Sequence, residues 1–382
     1  GGAFGVYLVS RFCRLSNQHE ATLTMVVLMV TLTVLIWQIQ TGQILTEEQK
    51  AAFGVAGPGG IVFHPNVLGT FIMLLALIIG ILVVLFSGEY LINDPRYHVY
   101  YPLVLIVLGG LYSMFLSDNL FNLFLVAELV TVAASALIAF RFHEEIAIQA
   151  GYKYLIMSSL GTMMMLLGIY FVYQSSGDVQ LSQVLPNPDN LSRIGAACFL
   201  LGFSLKAGVV PLHTWVPDVY GHAPSVISGF FAGVLSKSML FIVPAIVLRL
   251  GITREELGSY LMIFACFNML IGSVRMLKQP LLRRFLSFSS IAQTGYLMFG
   301  LGIGFYYDLE QAFSASLFLF VVIAIMKVLA YLSAGVFQFY LGTQKIAKLR
   351  GTANRLPIPA LSLSIALGGL SGIPLLAGFT GK

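Results

Sequence analysis

Five ionisable side chains stand inside long apolar runs of the sequence or at the end of one, where a charge needs a chemical reason. They are Glu128, Lys206, Lys237, Lys327 and Lys382. A charge at the centre of a hydrocarbon layer costs at least about 2.5–3.5 kcal/mol, so it requires a partner, water or a function. Each could belong to a buried salt bridge or extend its head to the interface, but one acid cannot neutralise three or four bases. Because a lysine in low dielectric can bind and release protons near neutral pH, the set predicts a proton relay.

Three further polar residues lie beside these runs. Lys153 stands at the start of an apolar run, where its head can reach the interface as readily as it can serve a relay. His213 titrates in the physiological range and could pass protons between buried lysines, or it could be an interfacial histidine held by backbone groups. Asp218 is expected to cap the helix that begins after Pro224 or to pair with a neighbouring loop charge.

Composition indicates what kind of element carries these residues. Of the 382 residues, 58% are hydrophobic and 10% are charged, and the mean hydropathy is +0.89. Soluble domains are about 25% charged, so a water-soluble enzyme is excluded. The three cysteines and six histidines have no disulfide or metal-ligand spacing. No nucleotide- or haem-binding motif is present, and the basic residues are too scattered for a nucleic-acid groove.

Eleven apolar stretches are long enough to cross about 30 Å of hydrocarbon as helices. They are residues 21–37, 67–86, 100–115, 120–140, 154–173, 194–210, 223–249, 257–274, 285–305, 312–339 and 358–379. The sequence therefore predicts an all-α polytopic membrane protein. Loops on one side carry twelve Lys and Arg residues and those on the other side carry four, which places the richer side in the cytoplasm or its organellar equivalent. Both ends look interrupted, so we expect a fragment of a longer chain.

Helix-breaking residues accompany two of the lysines. Gly208 and Pro211 follow Lys206, and a second pair, Gly372 and Pro374, precedes the last lysine of the chain. Proline lacks the N–H that continues a helix, so both spans should be interrupted there. The two spans are the sixth and the eleventh, so they run in opposite directions. Discontinuous helices in inverted repeats are typical of ion transport at the bilayer midplane.

Several long motifs resemble one known family. The stretch 205–218, followed by Ala223-Pro224-Ser225, closely resembles the signature of the antiporter-like membrane subunits. That family comprises the proton-pumping subunits of respiratory complex I, Mrp-type cation/proton antiporters and membrane-bound hydrogenases. Further similar motifs cover nearly the whole chain, at residues 118–124 running into Glu128, 235–237, 288–296, 326–329 and 372–382.

The resemblance implies a fold of about fourteen helices built from two inverted repeats, of which this chain lacks most of the first and the last helices. Residues 1–20 would be the tail of a truncated first helix and a cytoplasmic loop. Residues 21–99 would be peripheral helices with a long extracytoplasmic loop at 38–66. Residues 100–250 would form the first repeat, a half-channel, and residues 257–382 the second repeat, truncated at its broken helix.

The resemblance also implies roles for single residues in the first half of the relay. Glu128 and Lys206 would form the coupled pair of the first half-channel. His213 and Lys237 would extend the relay toward the centre of the protein. Lys153 would modulate the cytoplasmic opening.

The second half departs from the family pattern. Lys327 and Lys382 would form the second half-channel, but family members often carry histidine where this chain has Ile323 and Gln293. A relay in this half must therefore depend on Lys327, Lys382, water and Tyr296.

On this resemblance the chain would be a proton-translocating subunit of a complex I-type NAD(P)H or ferredoxin:quinone oxidoreductase. The alternatives are a subunit of an Mrp-type Na⁺/H⁺ antiporter or of a membrane-bound hydrogenase, and a non-conducting spacer in such a complex. No cofactor is expected in this chain, because flavin, iron–sulfur clusters and quinone would be bound by partner subunits. The partners would be other membrane subunits, further antiporter-like subunits among them, with lipid and with protons or Na⁺. The location would be an energy-coupling membrane, either a bacterial or archaeal plasma membrane or an organellar or thylakoid membrane.

Overall fold

The computed structural model describes residues 2–13, 16–41, 66–91, 96–141, 144–183 and 189–381, and its regular elements are helices. In chain order these are α1 (Gly2–Cys13), α2 (Asn17–Thr41), α3 (Val67–Tyr90), α4 (Tyr97–Leu116), α5 (Leu120–Ile138), α6 (Glu145–Ser176), α7 (Asn190–Ala207), α8 (Val216–His222), α9 (Ser225–Val247), α10 (Arg254–Leu277), α11 (Leu282–Tyr306), α12 (Glu310–Leu341), α13 (Pro357–Ser371) and α14 (Ala377–Gly381). The prediction of an all-helical fold is confirmed over these ranges. Lys382 and most of the predicted loop 38–66 lie outside the described residues.

Every predicted span coincides with a helix, although the helices differ in hydropathy. Within the described ranges, eight helices are long and apolar enough to cross a membrane, namely α2 to α6, α9, α10 and α12. The other three predicted spans fall on α7, α11 and α13. Helices α7 and α11 are enriched in serines, amides and charges, and α13 has only 15 residues because it ends at a glycine.

The chain divides into two compact units, and the first contains Gly1–Leu137 and Thr162–Cys198. Buried hydrogen bonds join its helices: Asn17 Nδ2 donates to the Gly88 carbonyl at 2.8 Å, and the Tyr101 hydroxyl donates to Asn17 Oδ1 at 2.7 Å. One face of α5 is apolar and exposed at residues 121, 125, 129 and 132, which are spaced by single helical turns. Such a face suits contact with lipid tails.

The second unit contains Ile138–Gly161 and Phe199–Lys382. Its helices α10 and α11 approach backbone to backbone, because a Cβ atom on Gly272 would lie 2.6 Å from the Ala292 amide nitrogen. Small residues permit such close helix pairs in membranes. Helix α11 is thereby fixed in place beside α10. The repeat boundaries expected at 100–250 and 257–382 stay a prediction.

Candidate functional site

Helix α7 ends immediately after Lys206, at the first of the two sequence breaks. Gly208 has a φ of 73°, and its amide donates to the Leu205 carbonyl at 3.2 Å. The next amide, that of Val209, donates to the Ser204 carbonyl at 2.9 Å. This pair of bonds is the Schellman arrangement, in which a left-handed residue satisfies the last carbonyls of a helix. The lysine therefore stands on the final turn of an interrupted helix.

We expect the substitution Gly208→Ala to lower the stability of the protein by about 2–5 kcal/mol. A left-handed conformation costs a residue with a Cβ about 1–2 kcal/mol, and overpacking adds about 1–3 kcal/mol. Overpacking applies here because the new Cβ would lie 2.5 Å from Val216 Cγ2. The apparent melting temperature of the purified complex measures the effect.

Gly177→Ala is the matched control for this substitution. Gly177 also has a φ of 73°, but a Cβ there would meet nothing within 4 Å. It should therefore show only the conformational part of the cost. Adding Val216→Ala to Gly208→Ala should restore part of the lost stability, since it removes the Val216 Cγ2 methyl group with which the new Cβ would clash. Equal effects of Gly208→Ala and Gly177→Ala would contradict the packing argument.

The segment 208–215 folds back over the end of α7. Trp215 Nε1 donates to the Leu205 carbonyl at 3.0 Å, and the Val210 amide donates to Asn268 Oδ1 at 3.3 Å. Asn268 lies on α10 and has 0% exposure. Two backbone groups near the break, the Leu205 carbonyl and the Val210 amide, are thus hydrogen-bonded to the side chains of Trp215 and Asn268. Sequence reasoning did not select Asn268, although an amide in an apolar helix is a signal for such a role.

His213 lies within this segment, outside the membrane-spanning helices. Burial lowers the pKa of His213 below its ordinary value, the backbone hydrogen bond with Pro211 opposes that shift, and the charge of Arg275 adds to it. The neutral imidazole is therefore favoured at neutral pH. A neutral imidazole can accept a proton at one nitrogen while it donates from the other.

Glu128 and Lys206 each bind a hydroxyl of helix α6. In the first unit, the Thr162 hydroxyl donates to Glu128 Oε2 at 2.5 Å. In the second unit, Lys206 Nζ donates to Ser158 Oγ at 2.8 Å. Thr162 is 1% exposed and Ser158 is 3% exposed, so both ionisable groups have a buried polar contact. The coupling of Glu128 to Lys206 stays a prediction.

Lys237 is buried in the middle of α9. A π-helical turn at Phe231–Leu235 precedes it, and the Ser236 hydroxyl donates to the Phe231 carbonyl at 3.1 Å. Lys237 Nζ donates to Ser236 Oγ at 3.2 Å and to Ser290 Oγ of α11. The side chain is 1% exposed. A π turn shifts the register of a helix, so it redirects the residues that follow.

Lys327 lies on α12 and is 0% exposed. Its Nζ donates to the Leu286 carbonyl and to Ser289 Oγ, both at 2.9 Å and both on α11. Lys237 and Lys327, the fully buried lysines among the described residues of the second unit, therefore both contact α11.

Asp218 lies in the first turn of the short helix α8 and does not cap the helix after Pro224, so that alternative is wrong. Its carboxylate instead pairs with Lys153 Nζ and with a guanidinium nitrogen of Arg284, the latter at 3.1 Å. The side chains are 33% to 42% exposed, and ion pairs of this exposure contribute about 0–1 kcal/mol each. The cluster orients Lys153 more than it stabilises the fold.

The second break repeats the geometry of the first. Helix α13 ends at Ser371, and Gly372 has a φ of 77°. The Gly372 amide donates to the Gly369 carbonyl at 3.3 Å, and the Ile373 amide donates to the Gly368 carbonyl at 3.2 Å. The chain resumes as α14 after Pro374. The same kind of cap also ends α9 at Gly251, so the cap alone does not mark a transport site.

Helix α11 carries Tyr296, a predicted residue of the second half, and Gln293, which stands where family members often have histidine. Gln293 Nε2 donates to the Leu370 carbonyl at 2.7 Å, next to the end of α13. Tyr296 lies one turn further along α11 and is partly buried. Lys382 lies outside the described residues, so its place in this half stays a prediction.

The partners of the lysines are what sequence reasoning missed. They are mostly hydroxyls: Ser158, Ser236, Ser289 and Ser290. Serines are common in membrane helices, so their presence alone is a weak signal. The pair of adjacent buried serines at 289 and 290 is a stronger signal. Two neighbouring positions of one helix face different directions, so two buried polar side chains there can contact two different helices.

Comparison with known proteins assigns most of the chain to one protein family. Residues 117–382 match the profile of a family described as NADH:quinone oxidoreductase/Mrp antiporter, transmembrane. The chain is 33% identical over 325 residues to NADH-quinone oxidoreductase subunit N of Desulforamulus reducens, which covers 82% of this chain and 66% of that protein. It is 28% identical over 331 residues to a Na(+)/H(+) antiporter subunit of Alkalihalophilus pseudofirmus, which covers 85% of this chain and 66% of that protein.

The fold is also similar to solved structures. A chain in the Mrp complex from Dietzia sp. DQ12-45-1b superposes with a TM-score of 0.88 at 20% identity. The superposition covers 100% of this chain and 71% of that one. The sequence therefore spans about two thirds of the length of the curated relatives it matches.

Proposed function

The chain belongs to the NADH:quinone oxidoreductase/Mrp antiporter family of membrane subunits, and from that membership we propose that it translocates protons as the antiporter-like subunit of a complex I-type quinone oxidoreductase. It is a multi-pass membrane protein, and its bacterial relatives point to a plasma membrane. The subunit N relatives, at up to 33% identity, favour the quinone oxidoreductase over the antiporter at 28%.

One observation carries the proposal: two lysine side chains are fully buried, at 1% and 0% exposure, on neutral oxygen acceptors. Lys237 and Lys327 contact hydroxyls, which can accept from a charged ammonium and donate to a neutral amine. Such a setting holds a lysine in either protonation state. A group that has to bind and release protons requires this property.

We further propose that Glu128 governs the proton on Lys206. While the carboxylate is near, the charged form of Lys206 is favoured, and when the two separate the lysine releases its proton. The proton then passes by way of water and the neutral imidazole of His213 toward Lys237. Lys327, Tyr296 and Lys382 would continue the relay through the second half.

The driving free energy is proposed to come from partner subunits. Flavin, iron–sulfur clusters and quinone would be bound there, and this chain would contribute only the ion pathway. Its partners would be other membrane subunits, including further antiporter-like ones. A change of charge or contact at their interface with this chain would then have to reach Glu128.

The test is purification of the native complex by gentle solubilisation, with mass spectrometry of its subunits. Inverted membrane vesicles are then supplied with NADH, or with reduced ferredoxin, together with a soluble quinone. The expected result is quinone reduction that acidifies the vesicle interior and is reversed by an uncoupler. Strains without this chain should lose the acidification, and returning the gene should restore it.

Other outcomes favour the alternatives. Small hydrophobic partners with no quinone reduction, and Na⁺-induced collapse of an imposed pH gradient, would identify an Mrp-type antiporter subunit. A hydrogenase among the partners would identify the third member of the family. Acidification with unchanged proton stoichiometry in the absence of this chain would identify a spacer.

A further inference from the structure

Helix α11 contacts both fully buried lysines at adjacent residues. Lys237, from α9, donates to Ser290 Oγ, and Lys327, from α12, donates to Ser289 Oγ at 2.9 Å. Ser290 is 0% exposed and Ser289 is 7% exposed. All of these residues lie in the second unit. Two ammonium groups from different helices thus each donate to one of two adjacent serine hydroxyls.

The hydroxyl of Ser290 is weakly held by other groups. A serine hydroxyl accepts through its lone pairs and donates one proton, so a serine that accepts from an ammonium can still pass its own proton onward. The Ser290 hydroxyl donates to the Ala232 carbonyl at 3.4 Å, which is long for a bond of this kind. By contrast, Ser287 on the same helix donates to the Arg283 carbonyl at 2.7 Å, so its proton is engaged within the helix.

One water molecule would have to connect the two serine hydroxyls. Neighbouring side chains on a helix diverge by about 100°, so the two hydroxyls do not face each other directly. The Leu286 carbonyl lies one turn before Ser290, and the ammonium of Lys327 touches both this carbonyl and Ser289 Oγ. A buried water typically makes about three hydrogen bonds. The two serine hydroxyls would supply two of them.

We propose that Ser289 and Ser290 relay protons between Lys237 and Lys327 through one bridging water, and so join the two halves of the pathway. This inference rests on the proposed function. In the transfer, an N–H bond of charged Lys237 breaks and its proton moves to Ser290 Oγ. The former proton of Ser290 passes to the water, and a proton of the water passes to Ser289. The former proton of Ser289 then forms a new N–H bond on neutral Lys327. Each hydroxyl and the water end with the number of protons they had at the start.

The test is the double substitution Ser289→Ala and Ser290→Ala in the intact complex. Proton uptake per NADH oxidised is measured in inverted vesicles with a soluble quinone. We expect a fall of at least about tenfold, since loss of a proton-transferring group costs about 10²–10⁴-fold in rate and leakage through other waters offsets part of it. The pair Ser289→Thr and Ser290→Thr keeps both hydroxyls and should retain most of the uptake. Ser287→Ala, a buried serine of the same helix that touches neither lysine, is the matched control and should leave uptake unchanged.

The outcomes separate this inference from the proposed function. Full uptake in the double alanine variant, with Lys206→Ala inactive in the same preparation, would overturn the serine relay and leave the proposed function standing. Full uptake in both variants would overturn the proposed function itself. Threonine variants as inactive as the alanine ones, in complexes that assemble normally on native gels, would show that the hydroxyl is not what matters. Should the double variant fail to assemble, the single variants S289A and S290A decide the question, since either one interrupts the relay.

Discussion

Replacing Lys206 with alanine should reduce proton uptake by the complex at least about tenfold. Lys206 stands at the end of α7 with its ammonium on Ser158, so alanine removes the protonatable group and leaves the helix break intact. Loss of the hydrogen bond with Ser158 costs about 1.5–3 kcal/mol of stability, so uptake is compared only in complexes that assemble normally. Uptake per NADH oxidised, measured with a pH-sensitive dye in inverted vesicles, reports the effect.

Lys206→Arg makes the test sharper. Arginine keeps the positive charge and can donate to Ser158, but it does not release its proton in proteins. If Lys206 acts by deprotonation, the arginine variant should pump as poorly as the alanine variant. If only the charge is needed, the arginine variant should pump normally. Lys278→Ala, which removes an exposed lysine between α10 and α11, is the control for loss of a positive charge. Undiminished pumping by Lys206→Ala would refute the mechanism.

The helices could be predicted from the sequence because, in lipid, the backbone N–H and C=O groups of a segment must be hydrogen-bonded within that segment. An apolar run of sufficient length must form a helix, and a glycine shortly before a proline favours the end of one. For this reason the predicted span 194–210 and the observed α7 agree, and the break falls beside Lys206. The same argument gave the break at Gly372. Neither conclusion depends on any contact between distant residues.

The site could be predicted only in part, because its contacts join residues far apart in the chain. Lys237 and Ser290 are separated by 53 residues, and Lys327 and Ser289 by 38. The cost of burying a charge identified the lysines, but it does not say which of many serines receives them. Asp218 shows the same limit, since the sequence left a helix cap and a loop charge open as its role, and its partners come from α6 and α11.

The polar residues that lower the hydropathy of helix α11 include the ones that hold the buried lysines. Its polar residues bind Lys237 and Lys327, and Gln293 binds the end of α13. A helix that faced lipid would expose these groups at a cost. Close packing of α11 against α10 through Gly272 and Gly295 holds it in place, so the lysine contacts are set by a rigid element.

Replacing Lys327 with methionine should remove transport while leaving the fold as stable as before, or more stable. The side chain is 0% exposed, so holding its ammonium there costs the hydration of the charge, which the hydrogen bonds with Leu286 and Ser289 offset in part. Replacing a buried ion pair by apolar groups of similar volume is often neutral or stabilising, by about 1–4 kcal/mol. We expect the same direction for this single ammonium, because its acceptors Leu286 and Ser289 carry no charge. Methionine matches the length of lysine and has no proton to transfer. The apparent melting temperature of the purified complex and proton uptake in vesicles are measured on the same preparation.

Opposite changes in stability and transport are the diagnostic result, because they identify a residue kept for function at a cost to the fold. Lys327→Ala should lose transport too, but it leaves a cavity and should lower stability by about 2–5 kcal/mol. The comparison of methionine with alanine therefore separates the charge from the volume. Normal pumping by a stabilised Lys327→Met variant would mean that protons do not pass this lysine, as in a spacer with a closed second half. A lowered melting temperature in Lys327→Met would mean instead that the ammonium holds α12 to α11, and the lysine would then be structural.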